Sequence, residues 1–280
     1  MIPVSIRIVS DSSSDVFDIP GVDYVTVPLK IMFGGREYVD EPGLDTEEMM
    51  DNLLTEKGPS TTSCPNVHDW LAVFEGSDEI FAITISSGLS ASYESCSVAK
   101  DEYKRSHPGA QVHIFDSKAT GPVLHLIIRK LAEGIRAGKT YAEVKAETIE
   151  YQKRIRILYA LESLNNLARN GRVSATVAAL AGVLNIRVIG HANSEGKVDI
   201  LHKTRGERRT LMTMVREMEE RGFDGGLAII DHCLNEDGAK KLGELIVEKF
   251  PAAEIVLESC GALCSYYADR GGLILGYAVK

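Results

Sequence analysis

No stretch of these 280 residues approaches the roughly 20 apolar positions that a bilayer-crossing helix needs, so no membrane span is expected. No run of lysine and arginine stands apart from compensating acids, and the net charge is −9. A nucleic-acid partner would need a basic face, so none is expected. Cysteines are few and odd in number, at 64, 96, 233, 260 and 264. The opening Met1-Ile-Pro-Val-Ser-Ile-Arg-Ile-Val9 reads as a first strand rather than an export signal. Reduced thiols and a cytoplasmic protein are therefore expected. Metal-ligand spacing is also scarce. Cys64 with His68 and Cys260 with Cys264 have no second pair to complete a tetrahedral site, so no metal and no cofactor are expected. The fixed glycine and lysine spacing of a P-loop is missing too, which removes the simplest nucleotide signal.

What is present is a strand, a hydroxyl-rich turn and a helix start, in that order. Glu79-Ile-Phe-Ala-Ile-Thr-Ile85 is a short β-branched and aromatic run, the pattern of a buried strand. Ser86-Ser-Gly-Leu-Ser-Ala-Ser-Tyr93 follows, and Glu94–Arg105 carries helix formers. Unpaired amides at the helix start, the positive end of its dipole and rotatable hydroxyls together suit an anion. A plainer reading is that Ser90 or Ser92 caps the helix.

The first half alternates strand and helix. Strands are expected at Ile6–Ser10, Tyr24–Ile31, Ile80–Ile85 and Val112–Phe115, and Gly34-Gly35 marks a hairpin. Thr61-Thr-Ser-Cys-Pro65 reads as a turn, with Pro65 starting a helix. Beyond about Ile155 the rhythm changes. Ser163–Arg169 and Ser174–Ala181 read as short helices. Leu184–Gly190 and Lys197–His202 read as strands joined by Asn193-Ser-Glu-Gly196. Glu254–Leu257 and Leu273–Val279 close the fold. The expected class is α/β, with two α/β domains at 1–155 and 156–280. The first has a mainly parallel sheet with flanking helices, the second a mixed sheet with helices, and a ligand cleft lies between them.

Six segments, in register and spanning the chain, resemble the DegV family of bacterial fatty-acid-binding proteins. They are Val9-Ser-Asp-Ser-Ser13, Thr62-Ser-Cys-Pro-Asn66, Ser86–Tyr93, Asp116-Ser117, Leu161–Ser174 with its Asn170-Gly-Arg172, and Lys203-Thr-Arg205. The resemblance implies a long-chain fatty acid held between two α/β domains, its carboxylate on hydroxyls and its tail in an apolar tunnel. It also implies a non-catalytic role, presenting the lipid to a separate ATP-dependent fatty acid kinase that makes an acyl phosphate. The residues it points to are Thr62, Ser63, Ser86, Ser87, Gly88, Ser90, Arg172 and Tyr267, with Arg205 and Arg270 as contacts to phosphate or partner. One segment departs. Where the family has His-x-Gly-Pro-Gly, this chain has Tyr266-Tyr-Ala-Asp-Arg-Gly-Gly272, which puts Tyr267 at the histidine position. Tyrosine donates one hydrogen bond but carries no positive charge near neutral pH.

The alternative reading is an enzyme in its own right. Cys64 precedes Pro65 at an expected helix start, a position that lowers a thiol pKa, and His68 lies four residues on. That pair would suit acyl transfer or hydrolysis.

Overall fold

The computed structural model describes residues 6–56, 58–179 and 186–280. In chain order the first half runs β1 (Ile6–Asp11), a 3₁₀ turn at Ser12–Ser14, β2 (Asp23–Val27), β3 (Lys30–Phe33), β4 (Arg36–Val39), α1 (Thr46–Thr55), β5 (Thr61–Ser63), α2 (Val67–Phe74), β6 (Glu79–Thr84), α3 (Ser92–Ser106), β7 (Gln111–Asp116), α4 (Pro122–Arg136) and α5 (Tyr141–Gln152). The second runs β8 (Ile155–Leu161), α6 (Asn165–Arg169), α7 (Ala175–Ala178), β9 (Ile186–Ala192), β10 (Val198–Arg205), α8 (Glu207–Glu220), β11 (Gly226–His232), α9 (Glu236–Lys249), β12 (Ala253–Ser259), α10 (Ala262–Ala268) and β13 (Leu273–Ala278).

The first half holds a parallel sheet of order β2-β1-β6-β7, and the second a mixed sheet of order β10-β9-β8-β13-β11-β12. Strand period decides what each sheet face meets. In β8, Leu158 and Ala160 turn toward Leu211, Met214 and Leu242 of α8 and α9, whereas Ile157, Tyr159 and Leu161 turn toward the first half. In β6, Ile80 and Ala82 pack with Trp70 and Phe74 of α2, and Phe81 and Ile83 face the other way. Between the inward faces lies α4, which contacts β1, β6, β8, β11 and β13. Every residue from Pro122 to Ile128 is buried, so its first two turns are enclosed on all sides, while Arg129, Glu133 and Arg136 reach solvent further on.

Several expected elements shift. Tyr24–Ile31 is two strands, because Pro28 has no N–H to continue the ladder; β2 pairs with β1 and β3 joins a separate antiparallel sheet, β4-β3-β5. Thr61–Ser63, read as a turn, is strand β5 in that sheet. Three residues are too few to carry a period, and the partner β3 supplies the order. The α2 helix starts at Val67, two residues later than expected, with Asn66 as its cap and Asp69 completing a capping box. Gly34 and Gly35 do form the hairpin turn, both at positive φ (57° and 73°). Helix α10 has no counterpart in the sequence reading. Residues 1–5 of the expected first strand, 180–181 of the expected helix and 184–185 of the expected strand lie outside the described residues.

Candidate functional site

The serine turn sits on β6, the strand flanked by β1 and β7. The aspartates that end those two neighbours grip it from both sides. Asp11 accepts hydrogen bonds from the Ile85 amide (2.9 Å) and the Ser92 hydroxyl (2.6 Å). Asp116 accepts from the Ser87 amide and hydroxyl, and the Lys118 ammonium stands 2.7 Å away. Burial raises the Asp11 carboxyl above the ordinary range. Burial also opposes the charge on Asp116, but Lys118 and Ser87 outweigh it and hold that carboxyl low. Ser86 is committed as well, since its hydroxyl donates to the Gly196 carbonyl (2.8 Å) at the tip of the β9–β10 hairpin. Gly88 lies under the same tip, and a Cβ there would fall 2.5 Å from the Glu195 carbonyl. Ser86, Ser87 and Gly88 therefore hold the turn rather than face the cavity. Ser90 differs: it is half-buried and lines the cavity. Helix α3 begins at Ser92 with Ala91 in the N-cap position, so neither Ser90 nor Ser92 is the N-cap, although Ser90 Oγ accepts from the Ser92 amide at 3.3 Å.

Five residues named from sequence meet at one end of that cavity. Thr62 and Tyr267 share a hydrogen bond of 2.7 Å between their hydroxyls, one from β5 and the other from α10. Arg172 reaches across from the second half, donating through Nε to the Leu89 carbonyl (2.9 Å) and through Nη1 to the Asn170 carbonyl. Its Nη2 meets no hydrogen-bond acceptor among the described residues. Ser63 and Ser90 complete the group. Neighbouring Tyr266 is engaged elsewhere, its hydroxyl bonded to Ser60 (2.6 Å) and Asn170 (2.8 Å). That anchoring on one side of α10 turns Tyr267 the other way. Burial raises the Tyr267 phenol above its usual range, so it stays a neutral donor or acceptor.

The remaining wall is apolar. The cavity measures about 350 Å³ and is faced by Leu29, Ile85, Leu161, Leu263 and Ile274 among others, from both halves of the chain. A space with hydroxyls and one guanidinium at an end and hydrocarbon along its length suits an amphiphile with an anionic head.

Other residues named from sequence lie elsewhere. Arg270 pairs with Asp51 on α1, and its amide bonds to Asp269. Arg205 is exposed at the end of β10. Neither lines the cavity. Cys64 does line it, but burial pushes its thiol up rather than down, and His68 is exposed on α2 outside the cavity. The expected thiolate and its base are not assembled. All five cysteines are free, and among the described residues no group of three or more His, Cys, Asp or Glu is placed to hold a metal ion. No described helix is long and apolar enough to cross a membrane.

Sequence reasoning missed an acidic seam directly behind the cavity. Asp40 accepts from the Ser12 hydroxyl (2.8 Å) and from the Ala262 amide (2.8 Å) at the start of α10. Burial pushes its carboxyl up to about 6. Asp15 and Asp231 face each other across the α4 start: a Cβ on Gly121 would lie 3.0 Å from Asp231 Oδ2 and 3.6 Å from Asp15 Oδ2. Their carboxylate oxygens are shut from solvent and meet no hydrogen-bond partner of good geometry among the described residues. Burial, then mutual repulsion, drives the Asp231 carboxyl well above the ordinary range; burial and the Asp40 charge do the same to Asp15. Asp231 follows Ile229 in β11, so alternation points it inward, but only the assembled seam reveals its company.

Comparison with known proteins gives this architecture a family. The DegV family model, described as uncharacterised proteins, matches residues 5–279. The chain belongs to the DegV family. A DegV domain-containing protein of Streptococcus pneumoniae is 34% identical over 277 residues, covering 98% of this chain and 99% of that protein. Among solved structures, a DegV family protein from Eubacterium eligens loaded with heptadecanoic acid is 38% identical, with a TM-score of 0.96, covering 99% of this chain and all of that one. The S. pneumoniae fatty acid kinase B3 protein loaded with linoleic acid is 34% identical, also with a TM-score of 0.96 and the same coverage.

Proposed function

We propose that this DegV protein binds a single long-chain fatty acid in the cavity between its halves. Its carboxylate would lie at Thr62, Ser63, Ser90, Tyr267 and Arg172, and its tail along the apolar wall. The observation that carries this reading is the polarity of the cavity. Hydroxyls and an arginine with a spare Nη2 gather at one end, and hydrocarbon lines the rest. Charge-assisted hydrogen bonds to a carboxylate contribute about 1.5–3 kcal/mol each. The tail contributes more: about 14 buried methylenes give on the order of 10 kcal/mol before ordering costs. Arg172 supplies the cation that Tyr267 cannot. The chain-covering relatives loaded with heptadecanoic and linoleic acids support the same ligand class.

In this reading the protein is not itself a catalyst. It hands the carboxylate to a separate ATP-dependent kinase, which transfers a phosphoryl group to a carboxylate oxygen and leaves ADP and an acyl phosphate. The kinase-associated relative supports that partnership, and the domains are taken as 1–155 and 156–280, with the ligand between them. Mass spectrometry of an organic extract of freshly purified protein tests the ligand. A stoichiometric long-chain acid is expected; an empty extract, with no binding of added fatty acid, would overturn the reading. Adding a fatty acid kinase and ATP tests the partnership, with acyl phosphate expected only when both proteins are present.

A further inference from the structure

The two ends of the cavity are built differently, and β8 provides the ruler between them. Ile157, Tyr159 and Leu161 all face the cavity by strand alternation. Leu161 leads into the segment carrying Arg172 and so marks the polar end. Ile157, four residues back, is about 13 Å away at some 3.3 Å per residue. It also lines a second cleft of about 510 Å³, together with Ala119, His191 and Ala192. None of Thr62, Ser90, Arg172 or Tyr267 borders that cleft, so Ile157 belongs to the far end.

Tyr159 stands just before that end, a phenol in a strand otherwise made of Ile, Arg, Leu and Ala. Its hydroxyl donates to the Asp199 carbonyl of β10 at 2.8 Å, with the His191 carbonyl of β9 at 3.3 Å. To reach them the ring lies across Gly190, its register partner on β9. A Cβ on Gly190 would fall 2.3 Å from the phenol oxygen and 2.5 Å from Cζ. The glycine is thus required by space. With its hydroxyl satisfied by backbone and its ring fixed by the hairpin, Tyr159 offers the cavity only a hydrocarbon face that cannot swing aside.

We propose that Tyr159 is the length gauge of the acyl cavity, the side chain against which the tail ends, so that chain-length preference is set here. The inference rests on the fatty-acid reading above. The test is a binding series of saturated acids of increasing length, on wild type and three variants, with folding checked by circular dichroism. Each methylene that finds hydrocarbon instead of a blocked end is worth about 0.8 kcal/mol, or roughly fourfold in affinity. Tyr159→Leu should therefore favour an acid two methylenes longer by roughly fifteenfold, relative to wild type. Tyr159→Met replaces the fixed ring with a flexible apolar chain and should also shift the optimum toward longer acids. Tyr159→Phe keeps the ring and should keep the order. A wild-type order in folded Tyr159→Leu overturns the gauge, and if that variant does not fold, a wild-type order in Tyr159→Met does so. A wild type that binds no acid of any length would instead overturn the fatty-acid reading.

Discussion

Two polar regions lie back to back at the seam between the halves, and they are unsatisfied in opposite senses. The cavity end, with Thr62, Ser90, Tyr267 and Arg172, has donors to spare. The seam behind it, with Asp15, Asp40 and Asp231, has acceptors to spare and too few donors. Thr120 and Cys264, whose side chains touch at 3.3 Å, line the cavity on the side of the seam. Buried polar groups must be paired, ligated or neutralised. The donor-rich region opens on a cavity and suits an anion. The acceptor-rich one is closed, and burial with like-charge repulsion raises the pKa of its carboxyls.

The sharpest way to break this contrast is to remove the cation from the donor side. Arg172→Ala should weaken fatty-acid binding by roughly 10- to 100-fold, the worth of one charge-assisted contact, as read by titration calorimetry. An unchanged affinity would mean that Arg172 merely holds Leu89 and Asn170 in place. Within the serine turn, Ser92→Ala and Ser90→Ala should part company. The first leaves the buried Asp11 carboxylate short of a donor and should cost about 1–3 kcal/mol of stability in a urea melt, with affinity for the acid retained. The second should leave stability nearly unchanged and lower affinity several-fold, at about 1 kcal/mol for one neutral hydrogen bond. Thr62→Ala belongs with Ser90→Ala, and thermal melts beside binding curves would separate the two classes.

The acceptor side should show itself in pH dependence, the smallest of these effects. An aspartate whose folded pKa is raised binds its proton more tightly in the folded state. Its contribution to stability is full below the unfolded value near 3.9, and is lost as pH rises through the folded value. Asp40, at about 6, and the more strongly raised Asp15 and Asp231 should therefore make the protein less stable as pH rises from mildly acid to alkaline. His113 and His125, both lowered to about 4 by burial, act oppositely but only below about pH 6.5, where their unfolded forms begin to titrate. Between about pH 6.5 and 8 the decline thus reports Asp15 and Asp231; above that the buried cysteines, whose thiols are also raised, add to it. Asp231→Asn should flatten it, and a Tm against pH profile parallel to that of the wild type would show that the pair holds no proton.

Much of the fold was legible because it rests on local periodicity. The β-branched runs of β1, β6 and β7 and the Gly34-Gly35 turn carry their structure in neighbouring residues. Thr61–Ser63 was misread because its order comes from β3, some thirty residues earlier. The short helix α10 was missed for a similar reason: its first amides are held by Asp40, more than two hundred positions away. The serine turn shows the same divide in its chemistry. Four serines within seven residues announce a polar turn, and nothing local distinguishes them. Only the neighbouring strands, which bring Asp11 and Asp116, and the β9–β10 hairpin, which brings Gly196, decide that Ser90 is the one left facing the cavity.

By itself the sequence determined the α/β class and the hydroxyl-rich turn after β6, which are properties of residue type and spacing. That Thr62, Arg172 and Tyr267 belong together was carried by the resemblance to the DegV family. The tertiary structure alone decided that Arg172 turns inward while Arg270 pairs with Asp51 and Arg205 faces solvent. It also decided that Cys64 sits where burial keeps it a thiol, and that Asp15 and Asp231 meet at Gly121. Charge, pKa and access depend on what lies within a few ångströms, and in a chain folded around a shared seam those neighbours come from distant sequence.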